Sequence, residues 1–152
     1  MTRMYTRDLR NTMRKLQDKL MDFVFYQNMV SIHQSAFLQA LSCHYNVTLV
    51  TERETEQYRI ADGWDIPDMG NVTIIMVSDA EKATSVLEQN ANAVHVFSGI
   101  DAYPVVYTTF KKATAKRLRV INMLEPYEWA GIKGWLRRAK YTLHRLRYGS
   151  RI

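Results

Sequence analysis

The chain reads as an α/β protein: a Rossmann-like open parallel sheet of about five strands, order 3-2-1-4-5, flanked by helices. Three observations predict this. Five short apolar runs, at residues 23–26, 46–51, 72–77, 94–97 and 118–124, alternate with helical patterns, as in a series of βα units. The first run, Phe23-Val-Phe-Tyr26, is apolar on both faces, which suits a strand at the centre of a parallel sheet. The stretch Ala93-Val-His-Val-Phe-Ser-Gly-Ile-Asp-Ala-Tyr-Pro104 passes from a strand through a small-residue turn into a helix. In such sheets ligands bind beyond the carboxyl ends of the strands, where the strand order reverses.

Taken in order, residues 3–20 place Tyr5, Leu9, Met13, Leu16 and Leu20 on one stripe of a helix, with Arg3, Arg7, Arg10 and Arg14 around it. This reads as a basic amphipathic appendage, residues 1–20, to a domain spanning 21–152. After the first strand comes the loop Gln27–Ser31. A helix follows from about Ile32 to His44, with Ala36, Phe37, Ala40 and Leu41 expected to face inward. Cys43 falls in the same apolar pattern and is expected to be an inert core residue. Asn46–Thr51 is the second strand, and the polar stretch Thr51–Gly70 reads as a loop with Trp64 as its anchor. Val72–Val77 is the third strand. Asp79 is placed to cap a helix running to about Gln89. Val94–Phe97 is the fourth strand, Tyr103–Lys116 its crossover helix, and Leu118–Leu124 the fifth strand. A basic helix from Lys133 to about Tyr148 closes the chain.

The 152 residues suffice for one domain with a real core. A single cysteine excludes an internal disulfide. No apolar run approaches the ~20 residues that a membrane-spanning helix needs. The net charge of +6 is unevenly spread. Residues 1–20 hold six Lys/Arg against two acids, residues 21–128 eight against thirteen, and residues 129–152 seven against none. Two basic ends flank an acidic middle, which favours a localised anionic partner over a uniformly basic domain.

Several chemistries are missing. Gln27-Asn-Met-Val-Ser31 contains no glycine, so the glycine-rich dinucleotide fingerprint is absent after strand one, and no P-loop occurs anywhere. Gln27-Asn28 supplies no acidic pair of the kind a phosphoacceptor needs. The four histidines show no metal-ligand spacing, and no cofactor or metal is expected. With the order 3-2-1-4-5, the loops leaving strands one and four diverge. They open a crevice between 28–34 and 97–101, with 125–127 one strand further on. His33 stands near the amino end of the first helix, where backbone N–H groups favour an anion or an electron-rich hydroxyl. His33 also fits a plain surface residue, and His95, inside a strand, fits a structural one. Ser98 and Asp101 sit on the loop after strand four, and Glu125 ends strand five.

The order and spacing of four stretches, the second strand Tyr45-Asn-Val-Thr-Leu-Val-Thr51 among them, carry a resemblance. His33-Gln-Ser-Ala-Phe-Leu-Gln-Ala-Leu41 opens the first helix at a histidine. Ala93-Val-His-Val-Phe-Ser-Gly99 forms a Val-His strand that leads into a small-residue loop. Glu125-Pro-Tyr-Glu-Trp129 and the basic Lys133-Gly-Trp-Leu-Arg-Arg138 make the tail. Over residues 21–152 the chain resembles the amino-terminal, acceptor-side domain of GT-B fold glycosyltransferases of the large retaining family four, in particular bacterial members that build surface polysaccharides. Two departures stand out. The first loop lacks the family's glycines, and Phe97 occupies the place of a second histidine.

The resemblance implies the acceptor-binding half of an enzyme that moves a sugar from a nucleotide sugar. The donor would be held mainly by a carboxy-terminal domain that lies outside these residues, so this half alone is not expected to be active. It implies a sugar or lipid-linked acceptor, oriented by His33, Ser98, Asp101 and Glu125 as the substrate-binding set, with no catalytic residue assigned. The implied setting is cytoplasmic, peripheral on the inner face of the membrane. A nucleic acid is not an expected partner of the enzyme. The alternative is a non-enzymatic Rossmann-like interaction module whose basic ends grip an anionic surface, membrane or nucleic acid. On the last helix Ile132, Trp135, Leu136, Leu143 and Leu146 can form an apolar stripe with basic neighbours. The stripe either packs on the sheet or lies on anionic lipid.

Overall fold

The computed structural model describes residues 21–54, 61, 63, 65, 67–99, 101–124 and 130–149. The amino-terminal basic helix expected over residues 1–20, Trp64 and Glu125 lie outside the described residues. Five parallel strands, β1 (Asp22–Met29), β2 (Asn46–Arg53), β3 (Thr73–Met76), β4 (Val94–Ser98) and β5 (Arg119–Met123), form one sheet in the order β3-β2-β1-β4-β5. Four helices flank it among the described residues: α1 (Ile32–Ser42), α2 (Ala80–Gln89), α3 (Pro104–Ala115) and α4 (Gly131–Tyr148). This is the expected Rossmann-like architecture.

β1 is central because Val24, Phe25, Tyr26 and Gln27 are all buried, so both of its faces need cover. It pairs with β2 from Asp22↔Asn46 to Met29↔Arg53, and with β4 from Phe23↔Val94 to Tyr26↔Phe97. Because pairing with β2 continues to Arg53, Gln27–Met29 belong to the strand, where the sequence suggested a loop. Successive side chains point to opposite faces. Val24, Tyr26, Phe97, Val106, Phe110, Val120 and Leu87 fill one side under α2, α3 and α4. Phe25, Leu49, Val94, Val96 and Leu38 fill the other, under α1.

Aromatic packing organises the first side. Tyr26 stacks on Phe97 with ring centroids 4.6 Å apart, Phe97 meets Phe110 edge-on at 5.5 Å, and Phe110 meets Tyr148 edge-on at 5.0 Å. Such pairs add about 0.5–1.5 kcal/mol each beyond their buried area. The last contact fixes α4 to the domain by its final turn. His95 is fully buried beside Tyr26, with Tyr26 Oη 3.3 Å from Nδ1. Burial holds the His95 pKa down to about 4, opposed more weakly by the Asn90 backbone. The neutral ring shares one hydrogen bond with the tyrosine hydroxyl, its direction set by the imidazole tautomer. His95 is a structural residue on the face of the sheet away from α1.

Two expectations about α1 are corrected. Ala36, Phe37 and Ala40 are exposed, whereas Ser35 and Leu38 face the sheet; Leu41, half-buried, packs against the core as expected. Ser35 enters the interface because its small side chain allows close approach and its Oγ donates to the Ile32 carbonyl at 2.9 Å. Phe37 retains an edge-on contact with Phe25, centroids 6.1 Å apart, from a largely exposed position. Cys43 is exposed and not in the core, because the helix ends at Ser42 and Cys43 is its carboxyl cap.

Candidate functional site at the topological switch point

The strand order reverses between β1 and β4, and there the structure has an open cleft of about 380 Å³. β1 contributes Gln27, Asn28 and Met29. The start of α1 contributes Ser31, His33 and Gln34, and the β4–α3 turn contributes Ser98, Gly99, Ala102 and Tyr103. Met123 and Leu124 from the end of β5 and Tyr141 from α4 complete the lining. The parallel register creates this convergence. Gln27 and Ser98 each follow the last residues that β1 and β4 pair with each other, Tyr26 and Phe97, and both fall on the α1 face, so both side chains stand where the two strands part.

Gln27 is buried, and its amide Nε2 donates to Gln34 Oε1, which ties the end of β1 to the first turn of α1. Ser98 Oγ is buried without a hydrogen-bond partner among the described residues. Beside it Gly99 has φ +79°, a conformation that disfavours side chains. Its N–H donates to the Met123 carbonyl at 2.8 Å. The turn therefore closes onto β5 and leaves Ser98 at the cleft wall.

Two helices begin at this cleft. Ser31 precedes α1 and Tyr103 precedes α3, and neither side chain caps its own helix. Pro104 at the start of α3 has no N–H to satisfy. By contrast Asp79 caps α2, accepting from the backbone N–H groups of Glu81 and Lys82 at 3.0 and 2.9 Å, as the sequence suggested. Those bonds, with the Ser78 hydroxyl, hold the Asp79 carboxyl below its ordinary pKa. The helix with its own carboxylate cap thus lies away from the cleft. The two cleft helices present positive dipole ends without one. Among the described residues no Asp or Glu lines the cleft. The site combines hydrogen-bonding side chains, helix amino termini and two tyrosines with an apolar wall of Met29, Met123 and Leu124, which suits a neutral or anionic ligand that carries hydroxyl or phosphate oxygens on a partly apolar body.

Of the four residues singled out in the sequence, His33 and Ser98 come together at the cleft. Asp101 is not among the lining residues. Its carboxylate accepts from Lys140 Nζ at 2.7 Å and lies 3.8 Å from His144 Nε2, so it ties the β4–α3 loop to α4. Glu125 lies outside the described residues. Sequence reasoning missed Tyr103 and Tyr141. Tyr103 stands just before Pro104 at a helix start, a weak signal that was there to read. Tyr141 arrives from a helix whose docking face no local pattern specifies.

Among the described residues, no three His, Cys, Asp or Glu side chains group closely enough to hold a metal ion. None of the described helices is long and apolar enough to cross a membrane. Comparison with protein-family models, with curated proteins and with solved structures finds no match to this chain.

Proposed function

We propose that this chain is the acceptor-side half of a retaining glycosyltransferase that moves a sugar from a nucleotide sugar, in surface polysaccharide synthesis. The observation that carries the reading is the switch-point cleft. Polar and apolar side chains share its lining, no carboxylate lines it among the described residues, and it is bounded by Ser98, His33 and the starts of α1 and α3, neither capped by its own preceding side chain. The resemblance noted in the sequence adds the reaction class.

In this reading the cleft positions rather than activates. Ser98 Oγ and the His33 imidazole hydrogen-bond acceptor hydroxyls, while Tyr103 and Tyr141 offer ring faces to a sugar. Orientation of this kind contributes up to ~7–11 kcal/mol to a reaction when both partners are well aligned. The helix amino termini favour the phosphate oxygens of a donor entering from the open side. The partner domain would supply most of the donor's contacts, so one wall alone binds weakly.

The test is NMR titration and calorimetry of the chain with UDP- and GDP-sugars and with simple saccharides. The expected result is millimolar affinity, about −4 kcal/mol, with shifts confined to the cleft residues. Micromolar nucleotide-sugar binding would mean that this chain holds a complete donor site and would overturn the division of labour. Saccharide shifts that avoid His33, Ser98 and Tyr103 would overturn the site itself.

A further inference from the structure

α4 has two opposed faces. Gly134 and Tyr148 are buried, Tyr141 packs against the core, and the His144 side chain is largely covered. At 3.6 residues per turn these four lie on one side of the helix. Ile132, Trp135, Leu136, Leu143 and Leu146 lie on the other, 81%, 67%, 55%, 65% and 77% exposed. They form a stripe about 100° wide that runs the length of the helix. The domain therefore docks by the tyrosine face, and the apolar stripe does not pack on the sheet.

The charges are arranged about that stripe. Lys133, Lys140 and Arg147, seven residues apart, run along one flank, and Arg138 and Arg145, also seven apart, along the other. Residues 130–149 contain no acidic side chain. Lys140 is engaged with Asp101, and the Arg147 guanidinium lies 5.4 Å from the centre of the Tyr148 ring.

We propose that α4 seats this domain on an anionic lipid surface, with the stripe in the acyl boundary and the basic rows among the headgroups. Charge complementarity selects this occupant. A second copy of the helix would bring basic rows against basic rows in either orientation, with no acids to pair them. A nucleic acid backbone would meet leucine and tryptophan at the centre of the contact. An anionic bilayer satisfies both parts at once: apolar residues enter the interface, Trp135 sits at the headgroup level, and long basic side chains reach outward to lipid phosphates. The inference is independent of what the cleft binds.

The experiment is co-sedimentation of the full chain with phosphatidylcholine vesicles and with vesicles that also contain phosphatidylglycerol. Expected are at least tenfold stronger binding to the anionic vesicles, and a marked loss at high salt. Leu143→Asp should abolish binding with an unchanged circular dichroism spectrum, since Leu143 is exposed. The charge-only variant Lys133→Gln/Arg145→Gln/Arg147→Gln should reduce binding at least tenfold. Equal partitioning onto both vesicle types would overturn the proposal. So would anionic binding that survives both variants, because the contact would then lie elsewhere in the chain. A stable dimer in solution that Leu143→Asp dissociates would assign the stripe to a second copy instead.

Discussion

The buried His95 makes the fold acid-sensitive in a way that can be calculated. Its pKa falls from the ordinary 6.5 to about 4 because burial penalises the charged ring. The folded state therefore holds the proton less tightly than the unfolded state. The stabilisation is complete above pH 6.5 and is lost as pH falls toward 4. The full gap, at about 1.4 kcal/mol per pH unit, amounts to about 3 kcal/mol. Linkage between those two pKa values places about 1–2 kcal/mol of it between pH 7 and pH 5. The perturbation is His95→Leu, which removes the titrating ring and keeps its approximate volume. The variant will be less stable at neutral pH, since Tyr26 Oη loses its 3.3 Å partner. The assay is urea unfolding at pH 7 and pH 5 for both proteins. The wild type should lose about 1–2 kcal/mol more than the variant on acidification, because the other histidines are common to both. Equal losses, within about 0.5 kcal/mol, would refute the claim that His95 is held neutral by burial.

Two further outcomes follow from the geometry. Leu38→Ala should cost about 2–5 kcal/mol in urea unfolding, since Leu38 is 1% exposed under the sheet, whereas Phe37→Ala on the outer face should cost far less; the reverse ranking would mean that α1 docks by its other face. His33→Ala and Ser98→Ala should leave the unfolding midpoint nearly unchanged and weaken saccharide binding at the cleft about tenfold, or about 1.4 kcal/mol, by NMR titration; unchanged binding in both would remove them from the site.

The strand order was legible because βα alternation and a doubly apolar first strand leave few arrangements of a parallel sheet. The approach of each helix was not. On α1 the apolar Ala36 and Phe37 looked inward, yet Ser35 and Leu38 face the sheet. A small residue that satisfies its own hydroxyl can be buried as cheaply as an alanine, and hydropathy does not register that. On α4 the stripe itself was visible as a pattern. Which side of the helix meets the domain was decided by shape, through Gly134 and the Tyr148 contact with Phe110. For the same reason His33 and Ser98 could be placed at the switch point from topology, while Tyr141 could not. It reaches the cleft through the packing of a helix far along the chain.

The central position of β1 has a consequence for how the protein comes to exist. β1 is the first described strand, yet its second partner arrives late: Phe23 pairs with Val94, 71 residues further on. Until β4 has been synthesised, β1 carries an open hydrogen-bonding edge and an apolar run from Phe23 to Tyr26. Parallel pairing between distant segments is intrinsically slow, and an exposed strand edge of this composition is prone to pair with other chains. A nascent chain that stalls before residue 94 would hold β1, β2 and β3 without the strand that closes β1. The sheet's most protected strand in the finished protein is thus its most vulnerable one during synthesis.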